Sequence, residues 1–315
     1  MISQETINEA HDRIRPFIHR TPVLTCQTIN GRAGADLYFK CENFQKIGAF
    51  KARGGLNAVL QVAENQEGTA ITTHSSGNHA QAVAFAARQV GLPAYIVMPY
   101  SAPQVKKDAV RGYGAEVIEC EPTLEAREQG VRDVMVRTGA VLVHPFDDDR
   151  VIAGQATAAK ELIEDYGQET PFDVILAPVG GGGLLSGTAL SAHYFSPQTR
   201  VVAGEPAGAA DAVLSFQSGR VEKAPYINTI ADGLLTSLSE RTLAIIREHV
   251  SVILTVSDEE IIAAMRLIWE RMKIIIEPSC AVPLAAVLKY PDQFTGQKVG
   301  IILTGGNVDL GRLPF

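Results

Sequence analysis

The sequence predicts an α/β chain of two open, mostly parallel twisted sheets flanked by helices. Three observations predict it. Between residues 69 and 147 short apolar runs alternate with helix-like runs of roughly 10–15 residues, long enough for crossovers and too long for hairpins. From 150 onward the alternation resumes with longer helices. Loops rich in serine or glycine fall where strand-like runs pass into helix-like runs, the usual rim for ligands in such sheets.

Each element follows in order. Residues 4–16 read as an amphipathic helix ended by Pro16, and an extended piece begins at Thr21 to Val23. Residues 36–42 read as a strand, and 51–63 as a helix. In the next region strands are expected at 70–75, 94–100, 115–120 and 140–146. The helices between them are 78–91, stopped by Gly91 and Pro93, then 103–112 and 123–138. Helices are then expected at 150–166 and 184–195, with strands at 172–179 and 201–205. The segment 206–238 reads as loop-rich. Helices at 240–249, 258–272 and 278–289 precede a last strand at 299–304. Linkers near 68 and 147 divide the chain. Residues 1–68 and 148–315 are expected to form one larger domain, and 69–147 a smaller one.

Composition bounds the function. The chain has 315 residues, 46% hydrophobic and 20% charged, with room for two domains and a large core. Its net charge of −7 argues against a nucleic-acid partner. Polar residues follow Met1 rather than a basic start and an apolar run, so no leader is expected and a cytoplasmic location is. No apolar run approaches the ~18 residues of a membrane span. Four scattered cysteines, without a CxxC pair, suit reduced and mostly buried thiols.

The stretch Cys41 to Gly55 (CENFQKIGAFKARGG) places Lys51 at a helix start. There the positive dipole end disfavours an ammonium, and Phe50 and Phe44 offer apolar cover. A lysine with a lowered pKa is a candidate nucleophile for carbonyl compounds. Read alone, the position also suits a solvated lysine. Ser75, Ser76, Gly77 and Asn78 open a second helix and offer N–H groups and hydroxyls to a carboxylate, or simply cap that helix. Four glycines, Gly180 to Gly183, follow a central strand and suit a phosphate cradle. Leu185 and Ser186 stand where a dinucleotide fingerprint needs glycine, although Glu205 lies about 20 residues on as that fingerprint would have it. Glu205 and Asp211 flank a loop and suit a hard divalent cation or are two solvated carboxylates. Thr304 ends the last strand at the sheet mouth.

The motifs KIGAFKARG, THSSGNHAQA, PVGGGGLLSG, AGEP, TIADGL, ERMKIIIEPS and LTGGNVDL together resemble the tryptophan-synthase-β-like (fold type II) pyridoxal-phosphate enzymes. The resemblance runs from about Ala10 to Leu310. Within that family it falls in the serine racemase, serine/threonine dehydratase and 3-hydroxyaspartate dehydratase group. It implies that Lys51 forms a Schiff base with pyridoxal 5'-phosphate and that Phe50 packs on the ring. Asn78 meets the phenolic oxygen, Gly180, Gly181, Gly182 and Gly183 hold the phosphate, and Thr304 faces the pyridine nitrogen, where the family usually has serine. Ser75, Ser76, Asn78 and His79 meet the substrate carboxylate, and Ser76 is the second acid/base. Glu205, the Ala209 carbonyl and Asp211 hold a divalent cation (Mg2+, or Mn2+ or Ca2+). Arg127 approaches a distal carboxylate, and Thr236 lines the same pocket. Phe146 and the acidic run after it replace the asparagine that serves ATP in the animal racemase, so nucleotide activation is not expected.

The implied activity is dehydration of a 3-hydroxy amino acid by α,β-elimination to an oxo acid and ammonia. Hydroxyaspartate stands slightly ahead of serine or threonine, with serine racemisation as the alternative. A homodimer is implied too. A non-catalytic amino-acid-binding protein and a dinucleotide-binding oxidoreductase are the readings from other classes.

Overall fold

A computed structural model describes residues 2–315. The chain begins with α1 (Gln4–Ile14), β1 (Val23–Leu24), α2 (Gln27–Ala33) and β2 (Asp36–Cys41). Two single 3-10 turns, Glu42–Phe44 and Lys46–Gly48, lead into α3 (Lys51–Glu64). Then come β3 (Ala70–His74), α4 (Asn78–Val90), β4 (Ala94–Pro99), α5 (Gln104–Gly112), β5 (Glu116–Cys120), α6 (Leu124–Thr138) and β6 (Ala140–Leu142). The rest holds α7 (Asp149–Tyr166), β7 (Val174–Pro178), α8 (Gly183–Phe195), β8 (Arg200–Pro206), α9 (Asp211–Ser218) and α10 (Glu240–His249). It closes with β9 (Val252–Val256), α11 (Asp258–Met272), α12 (Pro278–Lys289) and β10 (Lys298–Leu303).

Two sheets form, as the alternation predicts. One has six strands in the order β1-β2-β10-β7-β8-β9 and the other four in the order β5-β4-β3-β6. Every pairing is parallel except that of β1 with β2. The central strand β7 is buried at every residue, which suits a parallel strand covered on both faces. β10 lies between β2 and β7, with Leu303 opposite Cys41, so the chain emerges from it in mid-sheet. Separate apolar cores fill the two faces of the larger sheet, and a third lies between the smaller sheet and helices α3 and α4.

Close packing fixes α3, the helix that opens on Lys51. A Cβ on Gly54 would lie 2.7 Å from the Val151 carbonyl of α7, and one on Gly154 2.6 Å from the Arg53 carbonyl. Both must be glycine for the helices to approach so closely. Beneath them runs a buried ion network. Arg53 donates to both carboxylate oxygens of Glu42 (2.7 and 2.8 Å) and to both of Glu161 (2.8 Å each), and Lys40 Nζ donates to Glu161 at 2.7 Å. The network ties β2, α3 and α7 together with each charge partnered, the condition for tolerating buried charge.

Four elements differ from expectation. The strand expected over 140–146 stops at Leu142. Beyond it His144 Nδ1 accepts from the N–H groups of Phe146 and Asp147, and Pro145 has no N–H to give. The loop-rich segment 206–238 contains α9, whose first N–H groups are capped by Glu205 from another element. The short α2 and the edge strand β9 are further additions. α2 carries asparagine and glycine in its interior and ends on left-handed Gly34 (φ 64°). Among the described residues, no helix is long and apolar enough to cross a membrane. All four cysteines are free; Cys41 and Cys280 are buried and Cys26 and Cys120 half-buried.

Candidate active site

The site grows from the way α3 is pinned to the end of β10. Ala49 bridges to Gly305, the Phe50 N–H donates to the Thr304 carbonyl at 2.9 Å, and the Gly306 N–H donates to the Gly48 carbonyl at 2.9 Å. The turn that makes this possible needs positive φ at Ile47 (58°) and Gly48 (71°). Lys51 is therefore the first residue of a helix held against the mouth of the sheet. Its Nζ donates to the Pro145 carbonyl at 2.8 Å and lies 5.2 Å from the Phe50 ring centroid. Burial pushes its amine down to about 8. Phe44 does not provide the expected cover; its side chain is 45% exposed. The neighbours of the Lys51 amine are the Phe50 ring and the Pro145 carbonyl instead.

The serine loop follows β3. Ser75, Ser76, Gly77 and Asn78 are all half-buried, and a Cβ on Gly77 would meet nothing within 4 Å. Gly77 caps α4 without a side-chain bond, so no N-cap side chain satisfies the first N–H groups of that helix. A helix start of this kind can accept an anion. The His79 imidazole is not part of it. The ring is buried, bonded to the Val143 carbonyl at 3.0 Å, and held well below the ordinary histidine value by burial first and by Lys51 second. His79 can offer only its main-chain N–H there.

The glycine tetrad leads from β7 into α8, which also begins without a side-chain cap. Gly182 has φ 88°. A Cβ on Gly181 would lie 2.2 Å from the Phe146 ring, and one on Gly182 2.7 Å from Leu238. Packing alone thus demands glycine at both positions, and Phe146 shields the loop. Thr304 is buried with its hydroxyl unpartnered, and a buried hydroxyl without a partner is costly unless a ligand supplies one. A lysine with its pKa lowered by burial, an uncapped glycine-rich helix start and an unpartnered buried hydroxyl fit a phosphorylated carbonyl cofactor.

Glu205 ends β8, Ala209 lies in a 3-10 turn and Asp211 opens α9. Both Glu205 oxygens accept main-chain N–H groups, from Ala212 at 2.6 Å and Val213 at 2.9 Å. Burial, aided by Asp211, pushes Glu205 up to about 8, and burial raises Asp211 as well. One Asp211 oxygen is buried without a partner. Among the described residues no group of three or more His, Cys, Asp and Glu side chains is arranged for a metal ion, so a cation here would draw on carbonyls and water besides these two acids.

Two further expected residues sit on other segments. Arg127 sits on α6 and donates to the Thr123 carbonyl of its own helix at 3.2 Å. Its charge bears on His74, whose ring lies 5.6 Å from that of His144. Thr236 is exposed, two residues beyond Leu234, against which Gly180 packs. Sequence reasoning misses Glu277 and Asn307, which bind Asn78 on either side. Their signals are present in the chain: an acid wedged between an apolar run and the proline of a helix start, and an asparagine following two glycines.

The profile of the family described as pyridoxal-phosphate dependent enzyme matches residues 14–305. The chain is 50% identical over 311 residues to beta-hydroxyaspartate dehydratase of Paracoccus denitrificans (strain Pd 1222), covering 99% of this chain and 98% of that one. The crystal structure of serine racemase from Dictyostelium discoideum superposes with a TM-score of 0.92 at 49% identity, covering 98% and 99% of the two chains. That of T.th. threonine deaminase does so with 0.93 at 44% identity, covering 98% and 99%. With a site chemistry that fits the cofactor and similarity running nearly end to end, the chain belongs to the family of pyridoxal-phosphate dependent enzymes.

Proposed function

We propose that the protein is a dehydratase (ammonia-lyase) of 3-hydroxy amino acids that uses pyridoxal 5'-phosphate, with 3-hydroxyaspartate ahead of L-serine and L-threonine. The observation that carries the reading is Lys51 itself: a lysine at a helix start, its amine lowered by burial to about 8, next in the chain to Phe50, whose N–H is tied to the Thr304 carbonyl. The similarity to beta-hydroxyaspartate dehydratase sets the order of substrates.

Lys51, Phe50, Asn78, Thr304 and the main chain of Gly180 to Gly183 would hold the cofactor. Once bound, it supplies an electron-withdrawing ring that acidifies the Cα of an attached amino acid. The residues then divide the work. The N–H groups of α4, with Ser75 and Ser76, bind and orient the substrate carboxylate. The Lys51 amine takes the Cα proton, a role that contributes roughly 10²–10⁴ in rate. The Thr304 hydroxyl, being neutral, adds no charge at the pyridine nitrogen, which favours prompt loss of the β-substituent over a long-lived carbanion. Phe146 and Pro145 keep water from the lysine. Arg127 is the cation for a distal carboxylate, with Thr236 beside the same pocket.

Serine racemisation is a second reading, favoured by the Ser76 hydroxyl as a proton carrier for the other face. Glu205, the Ala209 carbonyl and Asp211 are proposed to hold a divalent cation, Mg2+ first. A homodimer, a mobile smaller domain over 69–147 and a cytoplasmic location complete the reading.

The test is ammonia release from the 3-hydroxyaspartate isomers, L-serine and L-threonine, with Arg127→Ala in parallel. Fastest turnover on a hydroxyaspartate isomer, lost selectively in Arg127→Ala, is expected. Turnover of serine alone would remove the dicarboxylate pocket.

A further inference from the structure

The carboxamide of Asn78 stands between the half-buried Asn307 and the buried Glu277. Asn307 Nδ2 donates to the Ile47 carbonyl at 2.8 Å and to Asn78 Oδ1 at 2.9 Å. A carbonyl only accepts, so the Asn307 amine end must face Ile47, and Asn78 must then turn its oxygen to Asn307. On the other side Asn78 Nδ2 donates to Glu277, at 2.9 Å to one oxygen and 3.2 Å to the other. Glu277 is buried and its own N–H is tied to the Gly305 carbonyl at 3.0 Å. Its carboxylate does not cap the helix that follows it. The side chain instead meets Asn78 and the main-chain N–H of Asn307.

A primary amide has two donors and one acceptor oxygen. Here the oxygen and one N–H are committed, and one N–H is left. We propose that Glu277 and Asn307 are positioning residues, which lock the Asn78 carboxamide in one orientation so that a single N–H remains for the cofactor. The proposal rests on the reading that Asn78 meets the phenolic oxygen of pyridoxal phosphate. It explains why an acid is tolerated in a buried place, where it is costly unless hydrogen-bonded. It also couples four segments: the turn before Lys51, the head of α4, the residue that precedes α12 and the loop after β10. The other charged groups that bear on Glu277 are Asp232 and Lys106, themselves paired at 2.8 Å.

The test is a double-mutant cycle on cofactor affinity, measured by titrating pyridoxal phosphate into cofactor-free protein and following the visible band, with thermal melting as a check on folding. Glu277→Met removes the acceptor and keeps the bulk, whereas Glu277→Gln keeps an acceptor oxygen. Loss of one such bond is expected to weaken affinity by about tenfold in Glu277→Met. Glu277→Gln should stay near the parent protein. In the Asn78→Ala background Glu277→Met should have no further effect, because the group it acts through is gone. Multiplying losses in the double variant, or equal losses in the Met and Gln variants, would overturn the positioning role alone. Unchanged affinity in Asn78→Ala would overturn the contact between Asn78 and the cofactor, and the proposal with it.

Discussion

Lys51 Nζ donates to the main-chain carbonyl of Pro145 at 2.8 Å, joining the first residue of α3 to the segment between β6 and α7. That segment also lays Phe146 against Gly181. One stretch of chain therefore touches the Lys51 amine and covers the glycine loop, so the positions of both are set by the same few residues.

Because burial pushes Lys51 down to about 8, its neutral, nucleophilic form predominates only above that pH. The rate at which the visible band appears on mixing pyridoxal phosphate with cofactor-free protein should rise about tenfold per pH unit and level off past about 8. A midpoint at the ordinary lysine value of about 10.4 would show that the amine is not desolvated.

Ser76 is assigned the second substrate face. In Ser76→Ala, elimination from the L-substrate should survive, while racemisation and use of the D-substrate fall by roughly 10² or more. Equal loss of all three would contradict separate faces.

The unpartnered Asp211 oxygen and the raised Glu205 carboxyl predict a cation site. Treatment with a chelator should lower the melting temperature, and added Mg2+ should restore it. Asp211→Asn should melt at one temperature whatever is added. A parent protein indifferent to both treatments would leave Glu205 as a cap of α9 and nothing more.

Arg53 holds two buried carboxylates, and removing it leaves Glu42 without an ionic partner and Glu161 with Lys40 and His11 alone. Arg53→Met should cost about 3–5 kcal/mol in urea unfolding. Burial works to raise the Glu161 carboxyl, but His11, Arg53 and Lys40 together hold it well below its ordinary 4.5. A depressed carboxylate stabilises above its unfolded pKa, so this contribution is present at neutral pH and is lost as the pH falls below about 4.5. The acid sensitivity should be blunted in Arg53→Met. A cost under about 1 kcal/mol would show that the network is dispensable.

The fold is legible wherever a local pattern carries it. FDVILAPV announces a buried strand, and the alanine-rich run from Asn78 ends at Gly91, which has φ 70°. What escapes depends on distant partners. α9 is capped by Glu205 from β8, and Glu277 bonds Asn78 at a separation of 199 residues. Phe146 can be seen in the sequence, but not that it packs on Gly181. Phe44 misleads because an aromatic seven residues from Lys51 lies beyond an intervening 3-10 turn and faces outward. The place of His79 at a helix start offers its main-chain N–H, but says nothing about its ring, which turns to the Val143 carbonyl.

The central claim is that Lys51 carries the cofactor. Its most direct test is the absorbance spectrum of the purified protein with pyridoxal phosphate, before and after borohydride reduction, beside Lys51→Ala. A visible band that reduction fixes to the peptide containing Lys51, absent from the variant, is predicted. A variant that still holds the cofactor covalently, or a parent protein with no band after the cofactor is supplied, would contradict it.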